Sequence, residues 1–451
     1  MTIIRPSQPL WGRETELALA NFDVSGRPLP IEVVHALAAI KSVAAFVNGR
    51  AMPDDGVAQD RFGAISVAAD RVAAGEFDDQ FLIDIFQTGS GTSTNMNVNE
   101  VVAHLASLAS GTTVHPNDHV NAGQSSNDTF PTAVTVAVVL QITRSLLPAM
   151  AVLADSLAAA GRRFADVVKA GRTHLMDAVP IFLGDEFDGY AAQLCEATER
   201  LQSALPRIGR VPLGGTAVGN GLNASPTFGA DVVALVGDRF SIDLSIAPNR
   251  FAAQAARDGL VEASSHFRGL AVALLKIAND IRLMGSGPAT GLGEIRLPEL
   301  QAGSSIMPGK VNPVMCEMVA QVAIQVFGND AAVAFAGSQG TFELNTYQPM
   351  MAANLLDSGR LLARACTHFA TLCIDGIEAD AERCAFYASA TPALATPLNE
   401  VLGYDHVAEI VKTAVAQHRS LLDVVVQDAT LDDATARRLL DAPRVARGNR
   451  S

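Results

Sequence analysis

The segment from Gly303 to Pro313 combines two serines, two glycines, a lysine and a helix start: Gly303-Ser304-Ser305-Ile306-Met307-Pro308-Gly309-Lys310-Val311-Asn312-Pro313. The glycines allow tight backbone turns, and Lys310 adds a positive charge. Asn312 followed by Pro313 is typical of an N-cap and the first position of a helix, where free backbone N–H groups can hold an anion. The segment therefore predicts a site that stabilises a developing carboxylate charge.

The spacing of this segment differs from that of a phosphate-binding P-loop. A P-loop has the pattern G-x-x-x-x-G-K-[ST], whereas here five residues separate Gly303 from Gly309 and Val311 follows the lysine. On local features alone, an ordinary surface loop before a helix remains an alternative.

Polar residues in two earlier blocks have side chains suited to acid–base work and to binding carboxylates. His174 lies in the run Gly171-Arg172-Thr173-His174-Leu175-Met176-Asp177-Ala178, and histidine titrates close to neutral pH. A lone histidine is more often a structural residue. Neutral donors that suit carboxylate oxygens, but are equally common in turns and caps, are Ser90, Thr92, Ser125, Ser126, Asn127 and Thr173.

Taken together, three separated blocks resemble the signature of the fumarase/aspartase superfamily, whose members add or remove a group across a double bond beside a carboxylate. The blocks are Gln87 to Asn97 with His115 to Asp128, Gly171 to Ala178, and Gly303 to Pro313. Further matches at Trp11-Gly12 and at Thr396-Pro397-Leu398-Asn399 extend the resemblance over nearly the whole chain. The resemblance implies a mainly α fold and a homotetramer built around a central bundle of long helices, with active sites shared between subunits.

The resemblance also implies roles for individual residues. His174 would pair with Glu317 and act through a water on the departing or attacking hydroxyl, while Ser304 would take the C3 proton. Lys310 and Asn312 would stabilise the resulting aci-carboxylate. Binding of a small dicarboxylate substrate is expected from Ser90, Thr92, Ser125, Ser126, Asn127, Thr173, Ser305, Lys310 and Asn312.

A second group of polar residues lies at His115, Asn117, Asp118 and His119. Pro116 interrupts the run that would place the two histidines on one helical face, so we expect no metal there. The resemblance instead implies a secondary dicarboxylate site at His115, Asn117 and Asp118. Many relatives carry basic residues just before this motif, whereas this chain has Thr112-Thr113-Val114.

Composition narrows the class of protein. A formal net charge of −14 argues against nucleic-acid or anionic-membrane partners, which require a basic face. No continuous apolar run reaches membrane-spanning length, and the N-terminus lacks a signal peptide, so we expect a soluble, cytoplasmic protein. The five cysteines form no C-x-x-C pair, which indicates reduced thiols. Nothing before the glycine-rich run Gly214 to Gly221 reads as the buried strand of a dinucleotide site, so a structural loop is expected there. The resemblance implies that the protein needs no cofactor.

Apolar spacing predicts the long helices. An apolar stripe with alternating spacings of three and four residues runs through Leu260, Ala263, Phe267, Leu270, Leu274, Ile277, Ile281 and Met284. Two more helices are predicted, one after Pro313 and one from about Thr132 to Ala160, bent at Pro148. We place an N-terminal lyase domain at residues 1–124, the central helical bundle at 125–380 and a small C-terminal helical domain at 381–451.

Among the reactions of this superfamily, the first hypothesis is a hydro-lyase that hydrates fumarate reversibly to L-malate. Elimination of ammonia from aspartate is the near alternative. Gly309 and Ser90 favour hydration, because the ammonia-lyases usually have alanine at both positions. A catalytically silent helical scaffold is a third hypothesis, which the complete set of catalytic positions disfavours.

Overall fold

The computed structural model describes residues 8–52, 55–303, 305–427 and 431–449. The helices are α1 Arg13–Asn21, α2 Ile31–Arg50, α3 Gly56–Ala73, α4 Thr92–Ser110, α5 Ser126–Gln141, α6 Leu147–Arg163, α7 Leu183–Ile208, α8 Phe228–Phe240, α9 Arg250–Ala255, α10 Asp258–Met284, α11 Val314–Gly337, α12 Gln348–Leu372, α13 Ala381–Ala390, α14 Asn399–Leu402, α15 Tyr404–Gln417, α16 Leu421–Gln427, α17 Asp433–Leu439 and α18 Ala442–Arg447. The prediction of a mainly α fold is confirmed.

The strands are short and form two-stranded pairs. They are β1 Val168–Thr173, β2 Met176–Phe182, β3 Arg210–Val211, β4 Ser245–Ile246, β5 Ile295–Arg296 and β6 Glu378–Ala379. β1 pairs antiparallel with β2, β3 pairs parallel with β4, and β5 pairs antiparallel with β6. The hairpin of β1 and β2 carries the block that contains His174.

The apolar stripe from Leu260 to Met284 is buried along its whole length in α10, with every member at most 4 % exposed. This helix prediction is confirmed, because a stripe with a mean spacing near 3.6 residues stays on one face. The helix ends at Met284, and Gly285 follows it. The helix after Pro313 is also confirmed and begins at Val314, so the first-position role given to Pro313 is wrong by one residue.

The helix predicted from about Thr132 to Ala160 begins earlier, at Ser126, and is interrupted. A single π-helical turn, Ile142–Leu146, separates α5 from α6 and ends two residues before Pro148. Proline has no backbone N–H and crowds the preceding turn, so it disturbs the hydrogen bonds just before it. The predicted bend therefore takes the form of a widened turn.

The chain divides into two compact units. Unit 1 comprises Met1–Pro148, Ala197–Ala271 and Val322–Ala363, and unit 2 comprises Ala149–Glu196, Val272–Gln321 and Arg364–Ser451. Each of α7, α10, α11 and α12 contributes residues to both units. Unit 2 includes a small apolar core of the C-terminal helices around Leu398, Ile410 and Val425. The three-domain division proposed from sequence stays a prediction.

Within the described ranges, three helical segments are long and apolar enough to cross a membrane by length and composition alone: Ile31–Arg50, Ser126–Arg163 and Val314–Gly337. The expectation that no apolar stretch reaches this length is therefore wrong. That expectation counted each apolar run only as far as the next proline or charged residue. A membrane-spanning helix of sufficient mean hydropathy can contain a few such residues. In Val314–Gly337 only 33 % of the apolar window is buried inside the protein. Helix α11 consequently exposes an apolar surface.

Candidate active site

The first block forms a tight turn that ends at the start of α4. Ser90 is buried, and its hydroxyl lies 2.8 Å from the Thr92 hydroxyl. A Cβ at Gly89 would lie 1.6 Å from the carbonyl oxygen of Thr346, so only glycine fits there. Gly91 has a φ of +78° and directly precedes the helix. The two glycines thus bring the Ser90 and Thr92 hydroxyls together at a helix N-terminus, where an anion is favoured.

The second part of this block begins α5. Ser125 is the N-cap, and its side chain forms a capping box with Asp128. The buried Asp128 carboxylate also accepts hydrogen bonds of 2.9 Å from the backbone N–H groups of Gly214 and Thr216. Burial raises the pKa of Asp128 to about 6, although these hydrogen bonds oppose the shift. Asp128 therefore ties the start of α5 to the glycine-rich loop, which is a structural role for that loop.

Asn127 and Ser126 follow on the first turn of α5. The Asn127 amide donates a hydrogen bond to the Ala217 carbonyl at 2.8 Å. The Ser126 hydroxyl oxygen accepts a hydrogen bond of 3.0 Å from the Asn95 amide. Both side chains are half-buried, so the ends that face away from these partners are available to a ligand.

Sequence reasoning missed Lys41 and Asn95, which lie behind this part of the site. Lys41 is fully buried in α2, and its ammonium donates to Asn121 and Gln124. Asn95 donates to Asn121 and Ser126. The signal for Lys41 was a single lysine inside the run from Ala36 to Ala45, whose other members are apolar except Ser42. Burial in such a run demands a polar partner.

The predicted second dicarboxylate site lies around a π-helical turn, Pro116–Val120, with His115, Asn117 and Asp118 exposed. His115 Nδ1 accepts a hydrogen bond from the backbone N–H of Asp118 and lies 3.2 Å from its carboxylate. Arg61 from α3 lies 3.2 Å from His119 Nε2. The pKa of His119 is lowered by burial first and then by the positive charge of Arg61. Arg61 therefore supplies a cation near this turn, whereas the residues directly before the motif, Thr112 to Val114, carry no charge.

His174 occupies the tip of the β1–β2 hairpin. Thr173 pairs with Met176, which leaves His174 and Leu175 as a two-residue loop with φ angles of +57° and +61°. Two successive positive φ angles are typical of a type I′ hairpin turn, a conformation that Asn and Gly adopt more easily than His and Leu. Thr173 and His174 are exposed. Strained conformations of this kind persist where surrounding structure enforces them, and they cluster at functional sites.

A buried ion network anchors β1 below this tip. Glu294 is fully buried and accepts from the Arg172 guanidinium at 2.9 and 3.0 Å, and the Lys169 ammonium lies 3.1 Å from it. Lys169 also bonds to Glu186 at 2.7 Å. Arg172 is two residues from His174, so the network holds the strand that carries the histidine.

The Gly303 to Asn312 loop is closed by its own residues. The Asn312 side-chain amide donates to the Gly303 carbonyl at 2.7 Å, and a Cβ at Gly303 would lie 1.9 Å from the Lys310 carbonyl. Asn312 therefore closes the loop with its side chain, which is not the predicted capping contact with the helix. Ser305 and Lys310 are exposed. Ser304 lies outside the described residues.

Glu317 is exposed in the first turn of α11. Within the described part of the single chain, no hydrogen bond or ion pair joins Glu317 to His174, and the Lys310 ammonium has no ion-pair partner. The structure thus presents the predicted residues in two groups. Unit 1 holds Ser90, Thr92, Ser125, Ser126 and Asn127, and unit 2 holds Thr173, His174, Ser305, Lys310, Asn312 and Glu317.

Comparison with known proteins matches two families. Residues 1–328 match the lyase family, and residues 394–446 match the family described as the fumarase C C-terminus. The chain is 51 % identical to the class II fumarate hydratase of Corynebacterium glutamicum, over 95 % of this chain and 90 % of that one. Identity to the class II fumarate hydratase of Mycobacterium tuberculosis is also 51 %, over 97 % of this chain and 91 % of that one.

A solved structure agrees with these sequence matches. The crystal structure of the class II fumarase of Schistosoma mansoni superposes with a TM-score of 0.94 at 37 % identity, and the match covers 98 % of this chain and 96 % of that one. The sequence matches span nearly the full length of both chains, and the folds agree over the same range. The chain therefore belongs to the class II fumarase family of lyases.

Proposed function

We propose that this protein is a fumarate hydratase, a hydro-lyase that converts fumarate and water reversibly into L-malate. The observation that carries the proposal is the presentation of His174 and Lys310. Both side chains are exposed on elements held by close packing, the anchored hairpin and the glycine-closed loop, and neither has an ion-pair partner within the described residues. An acid–base group and a cation held ready in this way suit a reaction that moves a proton beside a carboxylate.

The reaction divides between these residues. Ser304 removes the C3 proton of L-malate, and the charge that develops on the adjacent carboxylate is stabilised by Lys310 and Asn312 as an aci-carboxylate. His174 acts through a water on the departing hydroxyl, and Glu317 raises its basicity. The neutral donors Ser90, Thr92, Ser125, Ser126, Asn127, Thr173 and Ser305 bind the carboxylate oxygens of the dicarboxylate.

The active enzyme is a homotetramer with sites shared between subunits. Support comes from apolar side chains that a single chain leaves exposed on α11, Ile324 at 63 % and Phe335 at 69 %. Exposed apolar surface on a long helix favours association with another copy. Assembly would also give Glu317 and His174 partners that the described single chain does not supply.

The reaction fits the tricarboxylic acid cycle, in the cytoplasm.

Gly309 favours hydration over elimination of ammonia. Its φ is +78°, in the left-handed region that glycine adopts readily and alanine does not. The loop that carries Lys310 is therefore built around a glycine at the position where the ammonia-lyases usually have alanine. The catalytically silent scaffold remains disfavoured, because every catalytic position is filled.

A spectrophotometric assay of fumarate absorbance tests the proposal, with L-malate or L-aspartate as the substrate. The hydroxyl of L-malate must be protonated as it leaves, and the His174 and Glu317 pair supplies that proton through a water. The amine of L-aspartate can leave without this help. We expect kcat/KM for L-malate to exceed that for L-aspartate at least about a thousandfold, roughly 4 kcal/mol of transition-state discrimination. Comparable values for the two substrates would reject the hydratase. Ser304→Ala should abolish turnover without changing the oligomeric state.

A further inference from the structure

Lys41 is a buried cation next to the proposed substrate-binding residues. It is 0 % exposed, and no carboxylate forms an ion pair with it among the described residues. Its ammonium donates hydrogen bonds to Asn121 Oδ1 at 3.1 Å and to Gln124 Oε1 at 3.3 Å. Burying a lysine without a carboxylate partner is unfavourable for folding. Its two amide partners therefore point to a role beyond stability.

The ammonium fixes the direction of a chain of hydrogen bonds. Below its pKa of about 7 Lys41 carries its proton and has only donors, so Asn121 must turn its oxygen toward Lys41. The same oxygen accepts from Asn95 Nδ2 at 3.3 Å. Asn95 must therefore present its NH2 group on this side, and that group also donates to Ser126 Oγ at 3.0 Å. The lysine ammonium and the Gln124 backbone carbonyl, which accepts from Asn121 Nδ2 at 3.2 Å, together orient Asn121, and Asn121 in turn orients Asn95.

This chain of hydrogen bonds determines where the hydroxyl proton of Ser126 can point. Because its oxygen accepts from Asn95, its own O–H points elsewhere, and it has no acceptor among the described residues of its chain. Asn95 is 1 % exposed, and its Oδ1 is left without a partner among the described residues. The orientation of the Asn95 amide therefore leaves one of its own hydrogen-bonding atoms without a partner in the described part of the chain. The contact with Asn121 explains why Asn95 nevertheless adopts it.

We propose that Lys41 is a positioning residue that directs the hydrogen bonds of Asn121, Asn95 and Ser126, so that the Ser126 hydroxyl donates its proton to a carboxylate of the bound substrate. The inference rests on the proposed function and on the proposed binding role of Ser126. Lys41 does not touch the substrate. Its effect therefore reaches the substrate only through the Ser126 hydroxyl.

A double-mutant cycle tests this dependence. The variants Lys41→Met, Ser126→Ala and their combination are compared with the wild type by kcat and KM for L-malate at about pH 6, below the pKa of about 7 of Lys41. We expect each single variant to raise KM about tenfold, the effect of losing one hydrogen bond to a charged group, with kcat changed less. Because both act on the same hydrogen bond, the double variant should have the KM of Ser126→Ala alone.

A second variant covers the case in which Lys41→Met does not fold. Asn95→Asp replaces the donor with a carboxylate that accepts the Ser126 proton, so KM should rise about tenfold, the loss of the same hydrogen bond. In the Ser126→Ala background the same substitution should leave KM unchanged. The matched control is Ile40→Val, an adjacent buried residue of α2, which should lower Tm and leave KM unchanged.

Three outcomes would overturn the inference. KM could stay unchanged in Lys41→Met and Asn95→Asp, it could rise by the same factor whether or not Ser126 carries a hydroxyl, or Ile40→Val could raise it equally. A wild-type protein without activity on L-malate would instead reject the proposed function. The two failures are therefore distinguishable.

Discussion

Gly309 shows how one backbone angle can position Lys310, the cation proposed to act in catalysis. Its φ is +78°, and within the described residues no atom other than those of its chain neighbours lies within 4 Å of the place where a Cβ would stand. Gly309→Ala therefore adds backbone strain without a steric clash, at a cost of about 1 kcal/mol in the free energy of unfolding. We expect kcat/KM for L-malate to fall at least about tenfold, because relief of the strain displaces Lys310.

The control for this prediction is Gly111→Ala. Gly111 follows α4, has a φ of +67° and has the same open space around it. The substitution should lower the free energy of unfolding similarly and leave kcat/KM unchanged. Equal losses of activity in the two variants, measured beside their denaturant curves, would contradict the role given to Gly309.

At the scale of elements, the hairpin of β1 and β2 depends on the buried network around Glu294. Glu294→Gln keeps the shape of the side chain but removes the charge that faces Arg172 and Lys169. Breaking a buried ion pair in this way should lower the free energy of unfolding by about 3 kcal/mol. Because Arg172 precedes Thr173 and His174, we also expect kcat to fall.

Urea unfolding and malate kinetics check this prediction against an exposed pair. Glu409 lies 2.7 Å from Lys412 on the surface of α15, with both side chains about 70 % exposed. Exposed pairs contribute little, so Glu409→Gln should change neither stability nor activity. A Glu294→Gln protein as stable and as active as the wild type would show that the network does not hold the hairpin.

The sequence was sufficient to predict the elements whose signals are local. The stripe of α10 has a period that only a helix satisfies, and Pro313 marks the start of α11 to within one residue. The hairpin tip carried no such signal. His174 and Leu175 are not turn residues, so their positive φ angles depend on the packing of β1 and β2 and not on local preference.

The polar network of Lys41 was also beyond reach of the sequence. Asn121, which binds Lys41, and Asn95, which binds Asn121, lie 80 and 54 positions beyond Lys41 along the chain, and no short pattern relates such distant residues. The candidate site residues themselves were found through matching motifs. The hydrogen bonds and ion pairs of Lys41, Asn95 and Glu294 that hold the elements carrying these residues depend on tertiary structure, so the motifs did not predict them.

At the scale of the whole molecule, Lys41 makes stability depend on pH. Burial lowers its pKa to about 7, although the negative charge of Asp128 opposes the shift. An unfolded lysine keeps its proton up to about pH 10.4, so unfolding takes up a proton between these values and stability rises with pH. We expect the free energy of unfolding, wild type minus Lys41→Met, to rise by about 1 kcal/mol per unit between about pH 7.5 and 9.5. Urea titrations at one protein concentration measure it, and a flat or falling difference contradicts it.

The last prediction concerns assembly. If His174 and Lys310 meet only between chains, then His174→Asn and Lys310→Met subunits each carry the residue that the other lacks. After random reassortment of equal amounts, the chain that contributes the histidine to a site has an intact His174 with a probability of about one half. The same holds for Lys310 from the other chain, so about a quarter of wild-type activity should return. Each variant reassorted alone should remain inactive. If both residues of a site came from one chain, mixing would restore nothing. A monomer that is fully active at high dilution would equally refute the shared site.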